Sequence, residues 1–74
     1  MYHIEFVFER PYFGSSNEIT WKEDRRLTLL LNAVPIPGTQ IDLDGEIWRI
    51  MDVTLNARAG SYIVTLRLPI IENA

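Results

Sequence analysis

The amino-acid sequence predicts an all-β protein: a small, partly open barrel of five to six antiparallel strands. Apolar residues recur at every second position in several segments, which is the period of a strand with one buried face. Turn-forming pairs such as Asp44-Gly45 separate these segments at short intervals. Because 74 residues are too few for a second hydrophobic core, residues 1–74 are expected to form one domain.

The first predicted strand covers residues 2–10. It alternates a row of core-facing residues with residues that face outward, among them Val7. The core-facing row is Tyr2, Ile4, Phe6 and Phe8. Pro11 is expected to end this strand, because proline has no amide hydrogen for the ladder. A loop rich in glycine and serine follows at residues 14–17.

Residues 18–34 allow two interpretations. As a helix, the segment would begin with a capping box at Thr20 and share an apolar face formed by Leu27, Leu30, Leu31 and Val34. As strands, it would have a short arm at residues 19–21, a turn at Glu23-Asp24 and an alternating run from Leu27 to Leu31. The strand interpretation is favoured, since the neighbouring segments are β and Thr28 and Asn32 are poor helix formers.

Residues 34–50 predict a stiff connector followed by a hairpin. Pro35 and Pro37 fix their own backbone and hold the residues before them extended, while Gly38 permits a sharp change of direction. Asp44-Gly45 is a preferred pair for a two-residue type I′ turn. The core-facing residues of the two hairpin strands are Ile41, Leu43, Trp48 and Ile50.

A β-bulge is predicted near Met51-Asp52. Without it, strict alternation would turn Val53 and Leu55 away from the core, and a bulge also bends the strand as barrel corners require. Residues 56–60 form another predicted turn. The last core-facing row, which Pro69 is expected to end, is Tyr62, Val64, Leu66 and Leu68.

The order of these features over residues 27–68 resembles that of SH3-like small barrels: an extended Pro-x-Pro-Gly lead, a strand, an Asp-Gly hairpin, a bent strand, a turn and a last strand. It is similar in particular to small bacterial and phage proteins of unassigned role that carry a Pro-x-x-Gly lead before a strand and a tight hairpin. The resemblance implies an architecture and no activity, because one fold serves many functions.

Composition and charge narrow the functional classes. The chain has no cysteine, which excludes disulfides and thiolate metal sites, and its net charge of −3 argues against a nucleic-acid-binding class. The first residues lack the basic and apolar segments of a signal peptide. No apolar stretch approaches the ~20 residues that span a bilayer, so we expect a soluble cytoplasmic protein without membrane contact.

No catalytic, metal or cofactor site is predicted. His3, the one histidine, is expected to be a solvated strand residue without a nucleophile or an orienting group. Asp42, Asp44 and Glu46 resemble a cation-binding fragment but lack the remaining ligands of a calcium loop. The protein is therefore predicted not to be an enzyme.

The leading functional hypothesis is a protein-interaction module that self-associates as a homo-oligomer or docks on a protein partner, as an accessory subunit, an adaptor or a phage-type inhibitor would. Apolar residues, Leu30 among them, remain on the outer faces of adjacent strands after the core rows are assigned, and such patches mark partner sites. The predicted interface combines an apolar row, two arginines and two loop aromatics: Val7, Ile47, Met51, Ile63, Arg49, Arg67, Tyr12 and Phe13.

The alternative hypothesis is a small-barrel nucleic-acid-binding protein. An aromatic residue lies beside three cations in residues 21–26, and small barrels bind single strands by stacking bases near basic grooves. Glu23 and Asp24 interrupt this run and reduce its positive potential. The residues of the alternative site would be Trp21, Lys22, Arg25, Arg26 and Arg58.

Overall fold

The computed structural model describes residues 1–15 and 18–68 and confirms the all-β class. Its strands are β1 (Tyr2–Phe13), β2 (Ile19–Leu31), β3 (Gln40–Leu43), β4 (Glu46–Asn56) and β5 (Ser61–Arg67). They form one five-stranded sheet in the order β2-β1-β5-β4-β3, which curls into a half-barrel. The described residues contain no helix that is long and apolar enough to cross a membrane.

One strand pairing differs from the antiparallel arrangement that the sequence predicted. β1 and β5 lie side by side in the middle of the sheet and run parallel, with Ile4 opposite Tyr62 and Phe8 opposite Leu66. The other three pairings are antiparallel. The parallel pair arises because residues 32–39 carry the chain from one sheet edge, β2, to the other edge, β3.

The connector and the hairpin that follow β2 form as predicted. Gly38 adopts a φ of 87° and donates its N–H to the Ile50 carbonyl at 2.8 Å, and the Ile50 N–H donates to the Thr39 carbonyl at 2.9 Å. Asp44 and Gly45 have φ values of 54° and 88°, which are the left-handed conformations that a type I′ turn requires. The turn therefore fixes the β3–β4 register.

The hydrophobic core lies on the concave face of the sheet, and most of the predicted core rows are there. Its fully or almost fully buried members are Ile4, Phe6, Phe8, Trp48, Ile50, Val64 and Leu66. The Phe8 and Trp48 rings pack edge to face, with their centroids 4.8 Å apart. Half-buried residues that pack against this cluster are Leu27, Leu29, Leu31, Ile41, Leu43, Val53, Tyr62 and Leu68.

The bulge in β4 is confirmed between Ile50 and Asp52, where Met51 has no partner in β5. It returns Val53 to the core as predicted. Leu55 lies on the same face, opposite Tyr62, but its residue surface is 55% exposed. The prediction that Leu55 joins the core is therefore wrong, because the sheet ends too soon after it to cover it.

The β1–β2 hairpin is longer than predicted. Pro11 does not end β1 but lies opposite Trp21, where proline is tolerated because β5 has already ended opposite Glu9. Residues 19–31 form one strand, so the helix interpretation is wrong, and so is the predicted turn at Glu23-Asp24. Asp24 is instead the extra residue of a bulge between the Phe8–Arg25 and Glu9–Glu23 pairs. Residues 16–17 of the predicted loop, and Pro69, lie outside the described residues.

Candidate functional site

The bulge at Asp24 divides the β1–β2 hairpin into two halves. The hairpin root comprises residues 2–8 and 25–31, and the hairpin tip comprises residues 9–13 and 19–24. The root is supported by β5, which pairs with β1 from His3 to Glu9. Residues 10–13 of the tip have no third strand beside them in the described part of the chain. The tip is therefore a two-stranded arm that extends beyond the sheet.

Beyond the Glu9–Glu23 pair, the convex face of the tip is apolar and largely open. Phe13 lies opposite Ile19, and Pro11 lies opposite Trp21. The Phe13 residue surface is 72% exposed. Trp21 is half-buried beneath the Arg67 guanidinium, whose carbon lies 4.6 Å from the ring centroid. This contact joins the tip to the last residue of β5.

The concave face around the Asp24 bulge is basic and aromatic. Lys22 lies opposite Arg10 in the register, and its Nζ is 4.6 Å from the centroid of the Tyr12 ring. The Arg10 Nε donates to the Asp24 carboxylate at 3.0 Å. Arg25 places its guanidinium carbon 4.3 Å from the centroid of the buried Phe8 ring. Cations that lie over ring faces are attracted by the negative face of the π system.

Among the described strands, β2 lies at an open edge of the sheet, and two of its segments differ in sequence. From Lys22 to Arg26 every residue is charged, and the bulge at Asp24 interrupts the strand. Charges and bulges on an edge strand prevent pairing with another chain. Residues 22–26 of this edge are therefore protected against pairing.

The uncharged segment of the β2 edge, residues 27–31 within the root, has none of these protections. Its sequence Leu-Thr-Leu-Leu-Leu contains no charge and no proline, and its pairing with β1 is continuous. In the described residues its backbone pairs only with β1, so its other side has unpaired amide and carbonyl groups. Leu30 is 52% exposed on the convex face, and the half-buried Leu27, Leu29 and Leu31 line the concave face.

Ion pairs occupy the convex face around β1. Arg26 pairs with Glu5 at 2.7 Å and with Glu23 at 2.9 Å, and Arg67 pairs with Glu9 at 2.8 Å. The hydrogen bond from Arg26 lowers the pKa of Glu23 below its usual value. Hydrogen bonds to Glu23 and Glu5 raise the already high pKa of Arg26 further. These arginines are therefore engaged within the chain.

The predicted apolar row on the convex face is not a continuous exposed patch. Val7 is only 7% exposed. It lies between Glu5 and Glu9 on the convex face of β1, and the ion pairs of these residues with Arg26 and Arg67 cover it. Ile63 is half-buried, with Glu5 and Thr54 as its cross-strand neighbours. Val7 therefore faces outward as predicted but is not accessible on the convex face.

The other predicted interface residues are scattered. Met51 is half-buried in the β4 bulge, and Ile47, which is 52% exposed, lies opposite Asp42 near the β3–β4 turn. Arg49 is exposed and lies opposite Arg67 in the register. Two further members, Tyr12 and Phe13, are exposed on opposite faces of the tip strand. They belong to a strand rather than to the predicted loop, and adjacent strand residues point to opposite faces.

The structure also divides the predicted nucleic-acid site. Lys22 and Arg25 lie on the concave face, where Arg10 joins them. Trp21 and Arg26 lie on the convex face in contact with Arg67 and with acidic residues, respectively. Arg58 lies in the turn between β4 and β5, at the opposite end of β1 from the tip. These five residues do not form one surface.

Asp42, one of the three acidic residues of the β3–β4 hairpin, has a structural role. The Asp42 carboxylate accepts the Gly45 N–H at 2.9 Å and so stabilises the type I′ turn. Within residues 1–15 and 18–68, no three acidic, histidine or cysteine side chains lie close enough together to hold a metal ion. His3 is exposed near the start of β1.

The open edge of the hairpin root is the feature that sequence reasoning missed. Its signal was available in the change from the fully charged residues 22–26 to the uncharged residues 27–31. That change has meaning only once β2 is known to lie at a sheet edge, because the same leucine run in a central strand would simply be core. Comparison of the chain with protein-family models, curated proteins and solved structures gave no match.

Proposed function

We propose that this protein is a non-enzymatic protein-interaction module that binds a second copy of itself through the open edge of β2. The observation that carries the proposal is the uncharged run at residues 27–31, whose outer side has no partner strand within residues 1–15 and 18–68, beside a fully charged, bulged run at residues 22–26. Edge strands that lack charge, proline and bulges pair readily with another strand.

The physical basis is strand addition, in which backbone hydrogen bonds supply affinity and side chains supply specificity. Residues 27–31 are held in strand geometry by their pairing with Tyr2 to Phe6 of β1, two of which, Ile4 and Phe6, are completely buried. An edge that is already ordered loses little conformational entropy when it binds. Leu30, half exposed on the convex face, would also lose contact with water on pairing.

The test is the solution mass of two matched lysine variants. Leu30 and Ile47 have the same 52% exposure, and both lie on the convex face near opposite edges of the sheet. Light scattering after gel filtration should show a dimer for the wild-type chain and for Ile47→Lys. Leu30→Lys should shift the mass to the 8.6 kDa monomer, because a lysine on the paired edge weakens dimerisation by at least about tenfold.

The outcomes separate the proposed surface from the one predicted first. Dissociation by Ile47→Lys but not by Leu30→Lys would instead support the convex row that contains Ile47. A wild-type chain that remains monomeric at every concentration would overturn the proposal. Circular dichroism of both variants should match the wild type, since neither residue belongs to the buried core.

Single-stranded nucleic acid binding is the second candidate, favoured by the concave face around the Asp24 bulge. Arg10, Lys22 and Arg25 lie there with Tyr12, and cations beside exposed rings suit stacked bases and phosphates. In a fluorescence titration with a mixed-sequence oligonucleotide, salt-sensitive binding that is lost in Lys22→Ala/Arg25→Ala would support it. Arg26→Ala is the matched control, since Arg26 lies on the opposite face and is paired with Glu5 and Glu23.

A further inference from the structure

The side chains and charges of β2 restrict how two copies can join, on the condition that the proposed self-association occurs. The relevant groups are the outward amides and carbonyls of residues 27–31, the three leucines on the concave face and the arginines that precede them. Each strand direction and each register of two β2 edges gives these groups different neighbours. The possible dimers can therefore be compared by which apolar and charged residues they place opposite one another.

The direction of pairing follows from the position of the core. A two-fold axis perpendicular to the sheet makes the strands antiparallel and keeps both concave faces on the same side. Leu27, Leu29 and Leu31 of the two copies then form one continuous apolar row. A two-fold axis parallel to the strands would make the strands parallel and place the concave leucines of the two copies on opposite sides. Antiparallel pairing is therefore favoured, and it also forms the better hydrogen bonds.

The register follows from charge. Cross-strand neighbours share a face, so the two-fold axis must pass through a residue rather than between two residues. An axis at Leu29 pairs Leu27 with Leu31 and Thr28 with Leu30, and it uses the whole uncharged run. An axis at Thr28 would place Arg26 opposite Leu30 and Arg25 opposite Leu31. An axis at Leu30 would place Leu27 opposite residue 33 of the second copy, which is not in a strand because β2 ends at Leu31.

The bulge sets the limit of this interface. At Asp24 the edge is interrupted, and Arg26 on the root side is already bound to Glu5 and Glu23. Pairing therefore cannot continue into the tip. We infer that two copies join β2 to β2 in antiparallel register with Leu29 on the two-fold axis, which makes one ten-stranded sheet with a continuous concave face.

Engineered cysteines report this register directly, because the chain has no cysteine of its own. Leu29→Cys faces its symmetry mate, so mild oxidation should link most of the dimer across a Cα separation of about 4.5–5.5 Å. Leu31→Cys is the matched control: its symmetry mate lies about 14 Å away along the strand, beyond the reach of a disulfide. Non-reducing electrophoresis should show at least about tenfold more covalent dimer for Leu29→Cys.

A mixture of Thr28→Cys and Leu30→Cys chains keeps the test valid if Leu29→Cys fails to fold, because both positions are exposed. The two variants should cross-link to each other and much less to themselves. A chain that is dimeric by light scattering but does not form these cross-links would overturn the register and leave the proposed self-association standing. A chain that is monomeric by light scattering would overturn both.

Discussion

The root and the tip of the β1–β2 hairpin belong to the same two strands but differ in what supports them. The root lies beside β5 and contributes Ile4, Phe6 and Phe8 to the buried core, whereas residues 10–13 of the tip have only β2 as a neighbour in the described part of the chain. Protection of the β2 edge against pairing follows the opposite pattern. Residues 22–26, at and beside the weakly supported tip, are charged and contain the bulge, whereas residues 27–31 of the firmly supported root are uncharged.

This difference suggests a division of roles. A two-stranded hairpin is at best marginally stable in water, so an apolar edge on the tip would be free to pair in many registers. A strand that the core holds rigid can present an unpaired edge in one conformation only. The unprotected edge therefore lies where its geometry is best defined, and that is where a specific interface is expected.

The largest expected effect comes from truncating one phenylalanine in each half. Phe6→Ala removes a completely buried ring from the root and should lower the free energy of unfolding by about 3–5 kcal/mol. Phe13→Ala removes a ring that is 72% exposed at the tip and should change it by no more than about 0.5 kcal/mol. Urea denaturation at one fixed protein concentration measures both, since dimerisation makes stability depend on concentration.

A large loss of stability in Phe13→Ala would show that the Phe13 ring is packed in the folded protein. The tip and the root would then not differ in how well they are supported. A loss in Phe6→Ala of less than about 1 kcal/mol would mean that the concave face is not the core of the protein.

The link between the halves can be tested at Arg67. Its side chain pairs with Glu9 and covers Trp21, and both partners of the ion pair are partly buried. Arg67→Ala leaves Glu9 without its cation and uncovers the indole, so we expect a loss of about 1–2 kcal/mol in urea denaturation. The tryptophan emission of the same variant should shift to longer wavelength, because more water reaches Trp21 while Trp48 remains buried.

Arg49→Ala is the matched control for Arg67. Arg49 lies opposite Arg67 in the register, is exposed, and has no carboxylate within ion-pair distance among residues 1–15 and 18–68. Its removal should change stability by no more than about 0.5 kcal/mol. Equal losses in the two variants would mean that Arg67 acts through net charge rather than through Glu9 and Trp21.

The parts of the fold that local chemistry determines could be predicted from the sequence. The φ values of Asp44 and Gly45, the direction change at Gly38 and the bulge after Ile50 each follow from a few neighbouring residues. The core rows of β1 and β5 follow from alternation, because one buried face imposes a period of two. The Asp24 bulge could not be predicted in this way, since Glu23-Asp24 suits a turn equally well.

The candidate site could not be predicted, because it depends on sheet order. Alternation predicts that Val7 points outward, but it does not predict that Val7 is covered. The ion pairs that lie beside it join residues far apart in sequence, such as Glu9 of β1 and Arg67 of β5. The parallel pairing of β1 with β5 and the edge position of β2 also result from the path of the whole chain. Alternation identifies which face a side chain occupies, but it does not identify which strand has no neighbour.

The smallest expected effect concerns Arg26, where the bulged and the regular parts of β2 meet. In the folded protein the hydrogen bond from Arg26 lowers the pKa of Glu23, so ionised Glu23 stabilises the fold at neutral pH. That contribution is present above the unfolded-state pKa and is lost as the pH falls through the lower folded-state pKa. Arg26→Gln removes the cation and should raise the Glu23 pKa, so the acid side of the stability profile should become less steep.

An NMR titration of the Glu23 carboxyl carbon measures this change directly. Arg25→Gln is the matched control, because Arg25 lies on the concave face over Phe8 and carries the same charge one residue away. It should leave the Glu23 midpoint close to the wild-type value. If both variants raised the Glu23 midpoint equally, the Glu23 pKa would depend on the total positive charge of residues 22–26. The hydrogen bond from Arg26 would then have no special role where the bulged part of β2 meets the regular part.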